Sequence, residues 1–120
     1  MTDNYLEMTH TGFKAYDIRG VVPTEINEEL AYRVGRAYAE LYHPKTMSIG
    51  YDIRPSSISI CEAAIRGLTD GGADVYNIGL CGTEMVYFTT FHYGLDGGFM
   101  ITASHNPSDN NGIKIVREEG

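Results

Sequence analysis

Residues 102–112 read Thr-Ala-Ser-His-Asn-Pro-Ser-Asp-Asn-Asn-Gly, so Ser104 and His105 follow directly on an apolar run and stand just before Asn-Pro and Asn-Gly turn signals. A serine hydroxyl in such a tightly shaped loop, flanked by an imidazole and by several backbone N–H donors, suits the holding of a tetrahedral oxyanion. Serine hydrolysis is one alternative. It is disfavoured because adjacent side chains of an extended segment point apart, which orients His105 badly for taking the Ser104 proton, and because no Gly-x-Ser-x-Gly elbow is present. A solvated turn, in which Ser104 and Asn106 merely satisfy backbone groups, stands beside the active-site reading at this point.

Two further segments mix cations with turn residues. Phe13-Lys14-Ala15-Tyr16-Asp17-Ile18-Arg19-Gly20 gathers two cations and a carboxylate among aromatic and aliphatic residues. On its own it also reads as a short edge strand whose Asp17 pairs with Lys14 or Arg19. Gly50-Tyr51-Asp52-Ile53-Arg54-Pro55 carries an Asp52–Arg54 pair that can pin a loop. The formal net charge of −7 disfavours a nucleic-acid backbone or an acidic membrane surface as partner, since both need a basic footprint. Yet Lys14, Arg19, Arg54 and Lys114 lie in or beside segments rich in Gly, Asp or Pro. Cations in the loops of an acidic chain suggest a local anion site.

The elements that must position these residues follow from periodicity. From Asn27 to His43, Leu30, Val34, Ala37, Tyr38 and Leu41 recur at helical spacing, with Asn27 as cap, Glu28 and Glu29 in the first turn and Pro44 as stop. Met47–Asp52 reads as a strand, after which Ser56 and Ser57 can cap a helix whose stripe is Ile58, Cys61, Ala64, Ile65 and Leu68 and which ends at Gly71-Gly72. Val75–Ile78 is a second strand. Thr83 can cap a helix through Tyr93, although Thr89, Thr90 and the aromatics also suit a strand. Gly97–Thr102 and Ile113–Val116 complete four strands. The expectation is an α/β fold: a three-layer αβα domain on a mostly parallel four-stranded sheet, with the last strand antiparallel or at an edge because about ten residues are too few for a helical crossover. In open α/β sheets ligands bind beyond the carboxyl ends of the strands, where the Asp52–Arg54 and Ser104–Pro107 loops emerge.

At 120 residues and 42% apolar composition the chain has room for one domain. The first fifteen residues lack the apolar core of a secretory signal, no stretch approaches a membrane span, and Cys61 and Cys81 lack zinc-ligand spacing and read as reduced core residues. A cytoplasmic protein is expected.

Taken together and in order, the serine loop with Asn111-Gly112-x-Lys114 after it, Phe13–Gly20 and Gly50–Arg54 resemble the amino-terminal domain of the α-D-phosphohexomutase family, the phosphomannomutases and phosphoglucomutases, from about Phe13 to the end of the chain. Gly82-Thr83-Glu84 through Phe91-His92, with Asp96-Gly97-Gly98, looks most like the bacterial phosphomannomutases that supply GDP-mannose. The resemblance implies that residues 1–120 form the nucleophile-bearing first domain of a larger enzyme and that Ser104 carries a phosphoryl group. That group passes to a hexose monophosphate, and a bisphosphorylated sugar intermediate returns its other phosphoryl group.

The same resemblance implies that Arg19 and Lys114 stabilise the phosphoserine or assist proton transfer, and that His105 shapes the loop or hydrogen-bonds the transferring group. Tyr16, Lys14 and Asn106 become candidates for phosphate or substrate binding, and Asp52 with Arg54 for structural support. Magnesium and a hexose 1,6-bisphosphate activator are implied for the full enzyme. Here Ser104 could meet the metal only through its phosphate, because the family's Asp-x-Asp-x-Asp loop has no counterpart in this sequence. The expected partners are a hexose phosphate and the remaining domains of a parent enzyme, and the chain by itself is expected to be inactive. A noncatalytic assembly module, using Tyr87, Phe88, Phe91 and Tyr93 as a contact, is the reading from a different class.

Overall fold

The computed structural model describes residues 9–10 and 13–118, with side chains from Asp17 to Arg117. Among them, nine elements follow in the order β1 (Thr9–His10), β2 (Phe13–Val21), α1 (Glu28–Tyr42), β3 (Thr46–Tyr51), α2 (Ser57–Asp70), β4 (Asp74–Leu80), α3 (Thr83–His92), β5 (Gly97–Ile101) and β6 (Asn110–Glu118). The described strands form one sheet in the order β1-β2-β6-β5-β3-β4. β3 runs parallel to both β4 and β5, whereas β5–β6, β6–β2 and β2–β1 are antiparallel.

The three-layer α/β class expected from the sequence is the class observed. Two details of the sheet differ. It has six described strands rather than four, and β6 is antiparallel but interior, because β2 pairs with it from Phe13↔Glu118 to Val21↔Asn110. Phe13–Gly20 read on its own as a short edge strand with Asp17 paired to Arg19, as observed, but its place beside β6 rests on pairing between distant segments that neither displays alone.

Alternation also assigns the layers. On one face Met47, Ile49, Phe99, Ile101, Ile113 and Ile115 pack with Ile60, Cys61, Ala64 and Leu68 of α2 and with Tyr38 of α1, whose ring meets Phe99 edge-on at 5.3 Å. On the other face, a Cβ at Gly98 would collide with Ser48, Thr90 and Val86, so α3 lies there. The Ser48 and Thr90 hydroxyls are 3.0 Å apart in that interface, and the Thr90 hydroxyl also donates to the Val86 carbonyl. The two bonds satisfy the Thr90 hydroxyl, which would otherwise be a buried unpaired polar group.

Helix ends show which signals the chain uses. Asn27 Oδ1 accepts from Leu30 N–H at 2.8 Å and caps α1, and the helix closes on His43 in the left-handed region before Pro44. Ser56 and Thr83 do not cap: neither α2 nor α3 has a side-chain cap, and α3 starts after Gly82. The serines of α2 are diverted to the loops beside them, as the next section describes.

Burial pushes the Cys61 thiol up to about 12 and the Cys81 thiol above its ordinary value, and both cysteines are free. No helix among the described residues is long and apolar enough to cross a membrane.

α1 and α2 touch backbone to backbone. A Cβ on Gly67 would meet the Tyr32 carbonyl oxygen and, at 2.8 Å, the Arg36 nitrogen, while one on Gly35 would strike the Ala64 carbonyl. Neither neighbour can swing aside, since both are main-chain atoms of a packed helix. Gly67→Ala is therefore expected to destabilise the fold by about 1–3 kcal/mol despite the better helix propensity of alanine, which is worth up to about 1 kcal/mol. Urea unfolding measures the sign, and a more stable variant would contradict the contact.

Candidate functional site

The serine loop leaves the carboxyl end of β5, between Ile101 and Asn110, and is held from the side by the loop that leaves β3. The Arg54 guanidinium is the fastener. Its Nη2 donates to the carbonyls of Ser104 (2.7 Å) and Asn106 (3.0 Å), and its Nη1 to those of Pro107 (2.8 Å) and Asn110 (3.3 Å). Nε donates to Asp52 Oδ2 at 3.1 Å. With its side chain only 11% exposed, Arg54 directs its donors to the loop and to its counter-ion rather than to solvent.

Asp52 is fixed in turn. Its Oδ1 accepts from the Ser57 hydroxyl at 2.6 Å and from the Arg54 N–H at 3.1 Å. Burial alone would raise the Asp52 carboxyl pKa, but hydrogen bonding by Ser57, Thr102 and Arg54 outweighs burial and takes it below its ordinary value. Asn111 closes the other end of the loop. Completely buried, it donates through Nδ2 to the Ser56 (2.8 Å) and Ser57 (3.0 Å) hydroxyls and accepts from Gly112 N–H. Here lies the reason that the serines of α2 do not cap it: their hydroxyls serve Asp52 and Asn111.

The loop so held has a specific shape. Ser104 sits at φ 56°, in the left-handed region that side chains larger than glycine's rarely adopt, at a cost of about 1–2 kcal/mol. Hydrogen bonds to charged groups contribute about 1.5–3 kcal/mol each, so the four from Arg54 to the loop carbonyls outweigh that strain even when heavily discounted. Ser104 N–H donates to Thr102 Oγ1 at 2.9 Å, and Asn106 N–H to the Ala103 carbonyl at 3.0 Å. Ser104 and His105 are exposed, whereas Ala103 and Thr102 behind them are buried. Among the described residues no hydrogen bond joins the Ser104 hydroxyl to the His105 ring, so the pair lacks the geometry of a serine–histidine hydrolase.

Cations arrive from the neighbouring strands. Asp17 and Arg19 share one face of β2, and the register sets Asp17 opposite Lys114 of β6. Arg19 Nη2 bonds Asp17 Oδ2 at 3.1 Å, Lys114 Nζ lies 3.9 Å from the same oxygen, and Arg19 Nη1 reaches Asn106 Oδ1 at 3.4 Å. One carboxylate thus collects two cations beside the serine loop. Tyr87 of α3 stands near enough for Asp17 to help raise its pKa, after burial, which is the larger cause.

Of the residues singled out in the sequence, the structure brings Ser104, His105, Asn106, Arg19, Lys114, Asp52 and Arg54 to one end of the sheet. Lys14 and Tyr16 belong to β2, and their side chains lie outside the described residues. Asp17, Thr102, Ser57 and Asn111 were not singled out as site residues. The period of two in β2 carried the signal for Asp17; Asn111 was legible as part of the Asn111-Gly112-x-Lys114 motif, but its burial, which gives it its role, is not displayed by a single sequence. Among the described residues no three His, Cys, Asp or Glu gather as a metal-binding group. Asp17 and Asp52 beside the loop already face cations, and Asp109 of the loop itself does not join a cluster with them, so this donor set does not fit a divalent ion.

A family model, "Phosphoglucomutase/phosphomannomutase, alpha/beta/alpha domain I", matches residues 10–120. The chain is 56% identical over 108 residues to a phosphomannomutase of Escherichia coli, covering 90% of this chain and 24% of that protein. It is equally similar, over the same length, to a phosphomannomutase of Klebsiella pneumoniae of which it covers 69%. The chain therefore spans about a quarter of the length of most of these curated relatives. Among solved structures, a putative phosphomannomutase from Thermus thermophilus superposes with a TM-score of 0.78 at 26% identity, over 92% of this chain and 25% of that one. A phosphoglucomutase/phosphomannomutase family protein from Burkholderia thailandensis gives 0.76 at 32%, over 86% and 25%.

The Asp52 anchor makes the loop sensitive to acid. Because hydrogen bonding depresses its pKa in the folded chain, Asp52 contributes stability that is fully present above its unfolded value of about 3.9 and is lost as pH falls through the lower folded value. Asp52→Asn is expected to be less stable than the parent at neutral pH, with the difference shrinking below about pH 4. Denaturant melts across that range test this, and a gap independent of pH would remove the carboxylate from the account.

Proposed function

Since the chain belongs to the phosphoglucomutase/phosphomannomutase family, through its domain I, we propose that it is the nucleophile-bearing amino-terminal domain of a phosphohexomutase. In this reading Ser104 carries the phosphoryl group exchanged between 6-phospho and 1-phospho hexoses. The observation that supports it most is the pinned loop: an exposed serine, its backbone forced left-handed by Arg54, stands next to the cation pair Arg19 and Lys114.

A phosphoserine brings a charge of roughly −1.5 to −2, and phosphoryl transfer depends chiefly on positioning and charge neutralisation. Arg19 and Lys114 supply the neutralisation, and Asp17 keeps both in place. In the forward half, a hydroxyl of the hexose monophosphate attacks the phosphorus, the Ser104 Oγ–P bond breaks, and the sugar hydroxyl's proton is passed on while Oγ regains one. Lys114, on the strand that follows the loop, is the group assigned to that proton transfer, with Arg19 as the fixed charge. The bisphosphorylated sugar then reorients, Ser104 Oγ attacks its other phosphorus, and the serine is phosphorylated again as the product leaves.

Asn106, bonded to Arg19, ties the loop to the cations, and Lys14 and Tyr16 are further candidates for phosphate or substrate contacts. A hexose 1,6-bisphosphate serves as activator. Magnesium is proposed for the complete enzyme; the described residues offer it no cluster, so its ligands other than the phosphate on Ser104 would come from other domains. Mannose phosphate is the favoured substrate because the most similar relatives reported above are phosphomannomutases, and the setting is cytoplasmic.

Incubated with a hexose 1,6-bisphosphate, the full-length enzyme is expected to gain one phosphate on intact-mass analysis, and Ser104→Ala none. An adduct that survives in the variant would deprive Ser104 of this role. The 120-residue chain assayed with magnesium and the bisphosphate is expected to show no appreciable mutase turnover; turnover at a normal rate would overturn the division of labour among domains.

A further inference from the structure

We propose that the backbone N–H of His105, turned outward because Arg54 holds the Ser104 carbonyl, donates a hydrogen bond to the phosphoryl group on Ser104. The inference rests on the reading of Ser104 as a phosphoryl carrier and adds the donor that meets the group. It also makes Arg54 a positioning residue that acts through the backbone and never touches the phosphate.

The geometry follows from one peptide plane. Among the described residues the only cis bond is Val22–Pro23, so the Ser104–His105 peptide is trans and its C=O and N–H point to opposite sides. The carbonyl faces inward onto Arg54 Nη2 at 2.7 Å. The N–H therefore faces away from Arg54, on the open side of the loop, where His105 is exposed. It is attached one bond beyond the Ser104 carbonyl carbon, within reach of a phosphoryl group on Oγ.

The donors on either side of it are already engaged. Ser104 N–H goes to Thr102 Oγ1 and Asn106 N–H to the Ala103 carbonyl, and Pro107 has none. The next free amides among the described residues, Ser108 and Asp109, lie three or more peptides further along the chain than the His105 N–H, which is attached to the Ser104 carbonyl itself. His105 N–H has no hydrogen-bond partner among the described residues. With the amides on both sides engaged, the His105 N–H is a single aimed donor rather than one of a row of successive N–H groups. Arg54 suits the inner side of this turn in a way lysine would not, because two parallel pairs of N–H groups take four carbonyls at once and leave no freedom for the Ser104 peptide to flip.

The test uses the chain with phosphoserine installed biosynthetically at position 104, so that it does not depend on any bisphosphate reaching the serine. In nitrogen–proton spectra the His105 amide proton is expected to move downfield as pH rises through the second phosphoserine ionisation near about 6. A through-bond coupling between the His105 nitrogen and phosphorus is expected as well. Both should persist in His105→Gln, which removes the imidazole and its own titration, and the downfield movement should be lost in Arg54→Lys. A static His105 amide in the parent phosphoprotein, or one that titrates unchanged in a folded Arg54→Lys chain, would overturn the proposal. If Arg54→Lys fails to fold, the coupling in the parent decides by itself: its presence supports the bond and its absence refutes it. Loss of the carrier reading would show separately, as absence of a phosphate adduct after exposure of the unmodified full-length enzyme to hexose 1,6-bisphosphate.

Discussion

Arg54 turns inward, and much of the arrangement at this end of the sheet depends on that. A guanidinium 11% exposed in a chain of net charge −7 would ordinarily be expected to face an acidic ligand or water. Here four of its bonds go to carbonyl oxygens of one loop and one to Asp52, so the positive charge serves to curve the chain. Removing water from a charged group costs several kcal/mol, and only a nearly complete set of partners offsets that loss. The consequence is a loop with one shape, and the strained Ser104 backbone is a by-product of satisfying the arginine. Asp52 in turn keeps the arginine in place, and Ser57, at the first position of α2, keeps Asp52 in place. A helix start, a strand end and the serine loop are thereby joined through one ion pair.

The cations that face outward come from a different part of the topology. Arg19 and Lys114 are 95 residues apart in sequence, and antiparallel pairing of β2 with β6 makes them neighbours across Asp17. Gly112 permits that pairing next to the loop, since a Cβ there would strike the Ile18 carbonyl of β2. The extension of the sheet beyond its parallel core therefore also sets two cations beside the serine loop. Without β2, Lys114 would stand on an exposed strand with no carboxylate to hold it and no second cation beside it.

The parts of this arrangement that were legible in the sequence are those written in local patterns. The stripe of α1, its Asn27 cap, the three parallel strands and the polar serine loop all announce themselves through period, turn residues or apolar runs. The full extent of β6 and the place of β2 inside the sheet did not, although Phe13–Gly20 read as a short edge strand, because pairing between distant segments leaves no mark on either alone. Ser56 and Ser57 mislead for a related reason. A serine before a helix has the chemistry of a cap, but the same hydroxyl can serve a partner far away in sequence, and a buried Asn111 and a depressed Asp52 outcompete the local amides.

Asp17 shows how a bland reading and a functional one can both hold. Viewed along β2 it is a strand carboxylate paired with Arg19 two residues away, a contact that on an open surface is worth little. What changes its weight is the third partner. With Lys114 3.9 Å from the oxygen that also binds Arg19, a single negative charge faces two positive ones, and the group keeps an excess of positive charge. Arg19 also retains N–H donors beyond the two that Asp17 and Asn106 use. An isolated ion pair would cancel itself and offer an incoming dianion nothing. Two cations sharing one carboxylate remain attractive to it while staying fixed in the dianion's absence, which is the property that the proposed phosphoryl exchange would require.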